Sequence, residues 1–254
     1  MNVAQLWRYP VKSMQGERVE HLRLDGTGAE HDRVWGIVDC SNDKVLSAKR
    51  TASLLDAAAR LDERTGTVMI TLPDGTTHEA GDPRTDKAVS AWLDREVRLA
   101  RPPTEATAYE LTMDPTDDDS EVWDFATPPG SFVDLAAAHL LTTASLAAGA
   151  AALPDGQWSV HRFRPTVLID TDDGEGYLED GWIGQRVTLG GVTVEPFMPT
   201  PRCAMPTRGQ AIHGLERDTR ISRTLADEHQ NNLGVYCTVT AAGAVAVGDP
   251  VEVG

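Results

Sequence analysis

The residues most able to do chemistry lie in the proline-rich stretch 195–207, which contains Arg202 and Cys203. An apolar, β-branched run over residues 187–194 precedes it. Its prolines predict a stiff, extended loop, because they disfavour both a helix and a continued inner strand. A neighbouring guanidinium favours the thiolate form of a cysteine, which attacks electrophiles and binds metals. Taken alone, these residues fit an inert, buried cysteine better than a reactive one.

Basic side chains are the second group with chemical potential. The net charge of −16 argues against nucleic acid or an anionic membrane surface as the main partner, although a local cationic cluster can still bind a small anion. Any single basic residue in so acidic a chain could simply form a surface ion pair. The basic residues indicate a binding site only if the fold brings them together. They recur near predicted strand ends: Arg8, Lys12, Arg33, Lys49, Arg50, Arg162, Arg164 and Arg202.

Composition limits where such a site could operate. The 254 residues can bury a sizeable core in one large domain or two modest ones. Three widely spaced cysteines, at positions 40, 203 and 237, argue against a disulfide framework and fit a reducing, cytoplasmic environment. The N-terminus lacks a signal-peptide pattern, and no apolar segment is long enough to cross a bilayer.

Short alternating strands are the elements that would position these residues in the first half, residues 1–100. The pattern predicts strands over 3–9, 17–24, 33–38, 44–49 and 67–72. A helix is predicted over 86–93, capped by Asp82 or Thr85. Many short strands with turns between them predict a small barrel or sandwich.

The second half, residues 131–254, is also predicted to be a β barrel with a few short helices. Thr142 or Thr143 would cap one helix, residues 225–232 would form another, and 156–161 would lead from a loop into a strand. Residues 101–130, with the acidic run 117–121, are predicted to form a partly irregular connection. The expected class is therefore mainly β (α+β).

Six short motifs follow one another along nearly the whole chain: Tyr9-Pro-Val-Lys-Ser13, Asp32-Arg-Val-Trp35, Arg162-Phe-Arg-Pro165, Glu179-Asp-x-Trp182, Pro201-Arg-Cys203 and Gly248-Asp-Pro-Val251. Each motif is weak singly, and the ordered set is specific. Their order resembles that of the MOSC proteins, the molybdenum-cofactor-sulfurase C-terminal domain family, here with the family's N-terminal β-barrel domain. The architecture is similar to that of the amidoxime-reducing component proteins.

This resemblance implies a molybdenum–pterin cofactor with an anionic phosphate and with Cys203 as a protein ligand to the metal. High-valent molybdenum suits soft sulfur donors, and a phosphate suits Lys and Arg. The resemblance carries cofactor-binding roles onto these residues: Lys12, Ser13, Arg33 and Lys49 toward the phosphate, Arg164 and Arg202 from the second half, and the backbone of Asp134, Leu135 and Ala136 along the pterin.

Three positions depart from the family pattern. Thr166 stands where an asparagine is frequent, so an amide contact to the pterin would become a hydroxyl contact or be lost. Pro201 replaces a small polar residue, and Ala137 replaces a common proline. Thr166 and Pro201 remain candidate cofactor contacts.

The function implied is an oxidoreductase that reduces N-hydroxylated or N-oxide small molecules at molybdenum, with Cys203 in the catalytic centre. A separate electron donor, such as a ferredoxin or a flavin or haem reductase, is expected. The alternatives are a sulfur-transfer protein with a persulfide on Cys203 and a non-catalytic carrier of the cofactor. The family also bears a broad label of pyridoxal phosphate binding.

Several further residues have simpler interpretations. Cys237 lies in an alternating strand and fits a packed core thiol, and Cys40 sits at a polar turn as a bystander. His139 lies in an apolar run and fits a core histidine. Glu179 and Asp180 could orient Arg164 or Arg202, or could be surface acids.

Overall fold

A computed structural model describes residues 1–105, 107–112 and 121–254 of the chain. Residues 117–120 of the acidic run predicted as a solvated loop lie outside the described residues. The chain is mainly β, with strands β1 Asn2–Arg8, β2 Glu17–Val19, β3 His21–Asp25, β4 Gly28–Ala29, β5 Gly36–Asp39, β6 Ala58–Asp62, β7 Thr67–Thr71, β8 Thr77–Glu79, β9 Val97–Ala100, β10 Ala108–Thr112, β11 Val122–Ala126, β12 Ala138–Thr142, β13 Val167–Asp170, β14 Val187–Leu189, β15 Val192–Pro201, β16 Asn232–Ala241, β17 Gly243–Ala246 and β18 Val251–Val253.

The helices are few and short. The described residues form α-helices α1 Pro83–Leu93, α2 Thr143–Ala152, α3 Val160–Phe163 and α4 Arg220–His229, with 3-10 turns at Ala52–Asp56, Leu178–Trp182, Met205–Thr207 and Ala211–His213. Two predicted caps are confirmed: Asp82 accepts from the Arg84 amide at the start of α1, and Thr142 accepts from the Ser145 amide at the start of α2. None of the described helices has the length and apolar character needed to span a membrane.

An eight-stranded sheet forms the centre of the molecule, in the order β18-β14-β15-β16-β12-β13-β1-β2. The first strand of the chain thus pairs with β13, through Leu6 and Val167 among others, which are 161 positions apart. Strand β3 likewise pairs with β17 near the C-terminus. Val3, Leu6, Leu22 and Leu24 therefore pack into the same core as the strands of the second half.

A second core lies beneath the remaining N-terminal strands. Val11, Met14, Leu54, Leu55 and Ile70 are almost completely buried there. The β6-β7-β8 meander and helix α1 cover this core, and β5 pairs with β9 beside it. The predicted β architecture, including an N-terminal β-barrel domain, is confirmed.

The proline-rich stretch before Cys203 corrects one prediction. It is a continuation of β15, which runs to Pro201 and pairs with β16 throughout. Among the described strands, none pairs with its proline-containing part on the other side, where β14 pairs only with Val192, Thr193 and Val194. Two register shifts, after Pro196 and after Pro199, also accommodate the prolines. Prolines are tolerated at such edges and bulges, where no amide has to join a ladder.

Two local predictions were also wrong. Residues 44–49 form no strand, since the amides of Arg50 and Thr51 both return to the Ser47 carbonyl and turn the chain. The segment predicted to enter a strand at 156–161 instead begins helix α3, because the Ser159 hydroxyl caps the amide of His161. Within residues 101–130, predicted to form a partly irregular connection, strands β10 and β11 pair in an antiparallel manner.

Candidate functional site

A pocket between the two halves of the chain contains eleven of the twelve residues predicted from sequence to form a site. The N-terminal wall comes from the turn after β1, and the C-terminal wall comes from the ends of α3 and β15. The predicted residues that line it are Lys12, Ser13, Arg33, Asp134, Leu135, Ala136, Arg164, Thr166, Pro201, Arg202 and Cys203. The twelfth, Lys49, contacts the pocket through Asp134.

Cys203 carries the only thiol among the residues lining this pocket, and it is a free, half-buried cysteine. Asn231 fixes the peptide just before it from both sides. The Arg202 amide donates to the Asn231 carbonyl at 2.8 Å, and Asn231 Nδ2 donates to the Arg202 carbonyl at 2.7 Å. This double contact holds the cysteine at the rim of the sheet, a role that sequence reasoning did not find for Asn231.

The lysine side of the pocket is the cluster Lys12, Lys49, Asp134 and Tyr109. Asp134 bridges the two lysines, with Oδ1 at 2.5 Å from Lys12 Nζ and Oδ2 at 2.7 Å from Lys49 Nζ. Lys12 also donates to the Phe132 carbonyl at 2.8 Å, and Lys49 to the Tyr109 hydroxyl at 3.2 Å. The sequence had suggested only a backbone role for Asp134, and its carboxylate instead joins the two halves electrostatically.

Burial and charge act in opposite directions on this cluster. Burial lowers the pKa of Lys12 to about 8, because desolvation outweighs the attraction of Asp134, and Lys49 adds repulsion. Burial alone would raise the pKa of Asp134, but the two lysines hold it far below its usual range. The pKa of Lys49 is raised, since Asp134 and then Cys203 overcome the effect of desolvation. The carboxylate is therefore ionised at neutral pH.

Arg33 is also paired with a carboxylate. Its Nη1 bonds Asp32, whose other oxygen accepts from the Tyr9 amide at 2.7 Å. Burial would lower the pKa of Arg33, but the charge of Asp32 and its hydrogen bond raise it instead. Asp32 thus both neutralises Arg33 and anchors the turn that carries Lys12.

The arginine side of the pocket is formed by Arg164, Arg202 and Cys203, and here the cations have unused donors. Nη1 of Arg164 and Nε of Arg202 are buried and meet no hydrogen-bond partner within the described part of the chain. Burial lowers the pKa of Arg164 to about 10, which Tyr9 only partly opposes. Buried polar groups are nearly always hydrogen-bonded, so these two atoms point to an anionic partner from outside the chain.

Arg162 differs sharply from Arg164 although both belong to the Arg162-Phe-Arg-Pro165 motif. The Arg162 guanidinium is fully buried and donates to the carbonyls of Gln157, Pro206, Arg208 and Glu216 at 2.8 to 3.1 Å. It holds the segment after Cys203 against α3. The motif therefore contains one structural and one pocket-facing arginine.

Backbone geometry also marks the pocket. Ser13, Arg33 and Arg164 all have positive φ, at 71°, 47° and 54°. Non-glycine residues seldom adopt this left-handed conformation, and such strain concentrates at functional sites. In each case the unusual backbone turns a polar side chain toward the pocket, and no sequence pattern signals it at a serine or an arginine.

The smaller predicted contacts are distributed around the same pocket. The Ser13 hydroxyl accepts from the Ala48 amide at 3.0 Å, and the Thr166 hydroxyl accepts from the His139 amide at 3.1 Å. Leu135 is about half exposed, at 53%, so its side chain lies at the mouth of the pocket. Ala136 and Pro201 contribute small apolar surfaces to the walls.

His139, Tyr9, Tyr109 and Tyr236 form an aromatic surround that the sequence reasoning did not assign to the site. His139 is buried and bonds the Leu233 carbonyl at 3.3 Å, as a core histidine would, yet it also lines the pocket. Burial, followed by the charge of Arg202, lowers its pKa to about 3, so the ring is neutral. Its contact with the Tyr236 ring is edge-on.

The suggestion that Glu179 and Asp180 orient the pocket arginines is wrong. Glu179 is completely buried and accepts from the hydroxyls of Thr142 and Ser145 at 2.6 and 2.7 Å, where it supports the start of α2. Asp180 Oδ2 instead bonds His229 Nε2 at 2.6 Å. Both carboxylates are therefore occupied with other elements.

The two remaining cysteines lie apart from the pocket. Cys237 is buried in β16, where desolvation raises the pKa of its thiol. Cys40 is exposed at the end of β5. Neither belongs to the lining of the pocket, so Cys203 is the thiol to which the site can assign chemistry.

These observations define a class: a two-part β protein with a cationic pocket and a free thiol between its halves. The sequence matches two family descriptions, "MOSC N-terminal beta barrel domain" over residues 1–108 and "MOSC domain" over residues 128–252. Together these matches cover most of the chain. The protein belongs to the MOSC family.

The chain is also similar to part of two curated proteins and has the same fold as a solved structure. The chain is 30% identical over 103 residues to mitochondrial amidoxime reducing component 2 of Macaca fascicularis and of Homo sapiens. The match covers 36% of this chain and 30% of each relative's length. The YuaD protein of Bacillus subtilis shares the fold, with a TM-score of 0.51 and 11% identity over 99% of this chain and 93% of that chain. MOSC domains are associated with the molybdenum cofactor.

The residues present fit such a group. Its phosphate would meet the unused donors of Arg164 and Arg202, which the chain itself leaves unsatisfied. Cys203 offers one sulfur ligand, which suits a metal whose other ligands arrive with the cofactor. The pocket thus offers positive charge for an anionic group and a free thiol for a metal.

Proposed function

We propose that this protein is a molybdenum-cofactor-dependent oxidoreductase that reduces N-hydroxylated or N-oxide small molecules, with Cys203 as the protein ligand to molybdenum. The observation that carries the proposal is the pair of buried, unsatisfied guanidinium nitrogens in the same pocket as a free thiol. A site that bound only an anion would leave the free thiol of Cys203 unexplained. A site that used only the thiol would leave the two unpartnered arginine nitrogens unexplained. A ligand with both an anionic group and a metal accounts for both.

Each wall of the pocket has a proposed task. Arg164 and Arg202 bind the phosphate of the cofactor, and the clamp from Asn231 holds the Cys203 backbone in place. Asp134 holds Lys12 and Lys49 in place, and the positive charge of these lysines would attract the phosphate from a distance. Backbone and methyl groups of Ala136, Ala137 and Thr166 would contact the pterin.

The bound molybdenum would supply two-electron chemistry coupled to the movement of one oxygen atom. For an N-hydroxylated substrate the balance is two electrons and two protons taken up, an N–O bond broken, an N–H bond formed and one water released. We propose that the electrons come from a separate donor protein, such as a ferredoxin or a flavin or haem reductase. The contribution of the chain is to orient the substrate and hold the cofactor.

Metal and pterin analysis of protein produced in a cofactor-competent host tests this function. We expect about one molybdenum and one pterin per chain in the wild type and a loss of molybdenum in Cys203→Ser. Cys40→Ser is the matched control, since Cys40 is an exposed thiol outside the pocket lining, and it should retain full occupancy. Wild-type protein without molybdenum or pterin would overturn the proposal.

Two other results would redirect it. Cyanide-labile sulfur on Cys203 in protein that contains no molybdenum would indicate sulfur transfer through a persulfide. Stoichiometric cofactor that never turns over N-hydroxylated amidines or N-oxides with a chemical reductant would indicate a carrier.

A further inference from the structure

Tyr9 occupies an unusual position between two pocket arginines. Its ring is buried, and the guanidinium carbons of Arg33 and Arg164 lie 4.7 and 4.1 Å from the ring centroid. Arg33 comes from the N-terminal half and Arg164 from the C-terminal half. These distances are within the range in which a cation is attracted to the face of an aromatic ring.

Tyr109 has the same relation to the two pocket lysines. Nζ of Lys12 lies 4.5 Å from its ring centroid and Nζ of Lys49 lies 4.3 Å from it. Tyr109 belongs to strand β10, within the segment expected from sequence to be a mere connection. Each tyrosine therefore contacts two cations, and all four cations belong to the predicted site.

Packing holds both rings in place independently of the cations. A Cβ atom at Gly16 would lie 2.5 Å from Cδ1 of Tyr9, so the absence of a side chain there leaves room for the ring. The Tyr9 amide is fixed by Asp32 at 2.7 Å. Tyr109 packs in one cluster with Val38, Val45 and Phe132. The rings are thus preorganised surfaces on which flexible cationic side chains can rest.

The cations need such surfaces because they repel one another. Arg33 contributes to the lowered pKa of Arg164, and Lys49 to that of Lys12, in both cases after desolvation. Carboxylates offset this repulsion for Lys12, Lys49 and Arg33, but Arg164 has an unsatisfied nitrogen instead. A ring face stabilises a cation without occupying its hydrogen-bond donors, which remain available to a ligand.

We propose that Tyr9 and Tyr109 are positioning residues, each of which holds two cations of the pocket against its ring face. Tyr9 keeps the unpartnered donor of Arg164 available to an anionic ligand, and Tyr109 keeps the charge of Lys12 and Lys49 beside that ligand. The identity of that ligand rests on the proposed function, but the anion site itself does not. The aromatic ring, rather than the hydroxyl group, is the active feature. Within the described residues, the hydrogen bond of the Tyr9 hydroxyl is a long one, at 3.4 Å to the Pro165 carbonyl.

The test is calorimetric titration with inorganic phosphate, at fixed pH and salt, of the full chain produced in a host that makes no molybdenum cofactor, so that no cofactor phosphate competes for the site. We expect Tyr9→Phe to bind within about twofold of wild type and Tyr9→Leu to bind about tenfold more weakly. For Tyr109 the order is the same, with Tyr109→Phe slightly weaker than Tyr9→Phe because the Lys49 contact to the hydroxyl is lost.

A second set of variants separates the electrostatic effect of the ring from its packing. It also tests the proposal if the leucine variants do not fold. Phenylalanine carrying one to four ring fluorines is incorporated at position 9, which keeps the shape of the ring but weakens its negative face. The logarithm of the phosphate dissociation constant should rise steadily with fluorination while the melting temperature stays constant.

Two results would overturn the proposal: phosphate affinity that does not change across the fluorinated series, or Tyr9→Phe as weak as Tyr9→Leu. Neither depends on molybdenum, so a wild-type protein that lacks the metal would refute the proposed function and leave this titration interpretable.

Discussion

The two sides of the pocket differ in whether their positive charges are paired: the lysine side has a carboxylate partner, and, within the described chain, the arginine side has donors without one. On the lysine side the ammonium groups of Lys12 and Lys49 are both bonded to Asp134, so the charge is largely compensated before any ligand arrives. On the arginine side Arg202 bonds only carbonyls, and both Arg202 and Arg164 have buried nitrogens without partners in the described residues. The difference indicates which wall binds an anion directly and which wall holds the two halves together.

Family resemblance had suggested the phosphate end at Lys12, Ser13 and Arg33. The geometry adds a reason to give Arg164 and Arg202 the larger share, since an unsatisfied buried donor gains most from a new acceptor. An anion on the lysine side would have to compete with Asp134. Three experiments test this comparison.

The largest effect is expected from the two arginines of one motif. Arg164→Gln should weaken phosphate binding by about tenfold to a hundredfold, because it removes a charge-assisted hydrogen bond, and should leave the melting temperature nearly unchanged. Arg162→Gln should instead lower the free energy of unfolding by about 3 kcal/mol, because four carbonyls lose their donor. Calorimetry with phosphate and thermal denaturation measure both.

Each of these variants is the control for the other. Equal destabilisation by both substitutions would mean that Arg164 is a structural residue like Arg162, and the comparison between the two walls would fail.

A smaller effect of opposite sign is expected from Asp134→Asn. The substitution keeps the shape of the side chain but removes the carboxylate that competes with an anion for Lys12 and Lys49. Because losing Asp134 also lowers the pKa of both lysines, the measurement is made at pH 6, where phosphate affinity should increase by about tenfold. Stability should fall, because two ion pairs between the halves are lost. Asp124→Asn is the matched control, since Asp124 pairs with Lys44 on the exposed surface. Unchanged or weaker phosphate binding by Asp134→Asn would show that Asp134 is not competing with the anion.

The smallest expected effect is a dependence on pH. Lys12 is protonated below its pKa of about 8 and neutral above it, so the pocket loses one positive charge as pH rises through that value. Binding of sulfate, a dianion throughout this range, should therefore be constant below pH 7 and weaken by about threefold between pH 7 and pH 9. Titration calorimetry at several pH values measures it.

Lys12→Met should abolish this pH dependence, and the same series on Cys203→Ser removes any contribution of the thiol. A step of equal size in Lys12→Met would assign the titration to another group.

Much of the fold could be predicted from the sequence, because the patterns that indicate strands and helix caps involve residues close together in the chain. The alternating run of β16 and the Asp82 and Thr142 caps depend on neighbours a few residues away. The prediction of a loop for the proline-rich end of β15 was wrong because it depends on residues far away in the chain. Whether prolines interrupt a strand depends on whether that strand has a neighbour on both sides, and the partners of β15 lie elsewhere in the chain.

The site shows the same division. Its members could be named from motifs, and eleven of the twelve do line one pocket. The side-chain role of Asp134, the clamp from Asn231 and the rings of Tyr9 and Tyr109 could not be found, because each acts on a residue far away in sequence. Lys12 and Asp134, for example, are separated by 122 positions.

The sequence by itself determined which residue types are available: a cysteine after an arginine at the end of a strand, basic residues at turns, and motifs in an order typical of the MOSC family. Only the tertiary structure decided which cations are compensated and which remain open to a ligand. The physical reason is that the two properties depend on contacts at different separations along the chain. Secondary structure follows from contacts along the chain, whereas the charge state of a buried group depends on every atom that folding brings within a few ångströms of it.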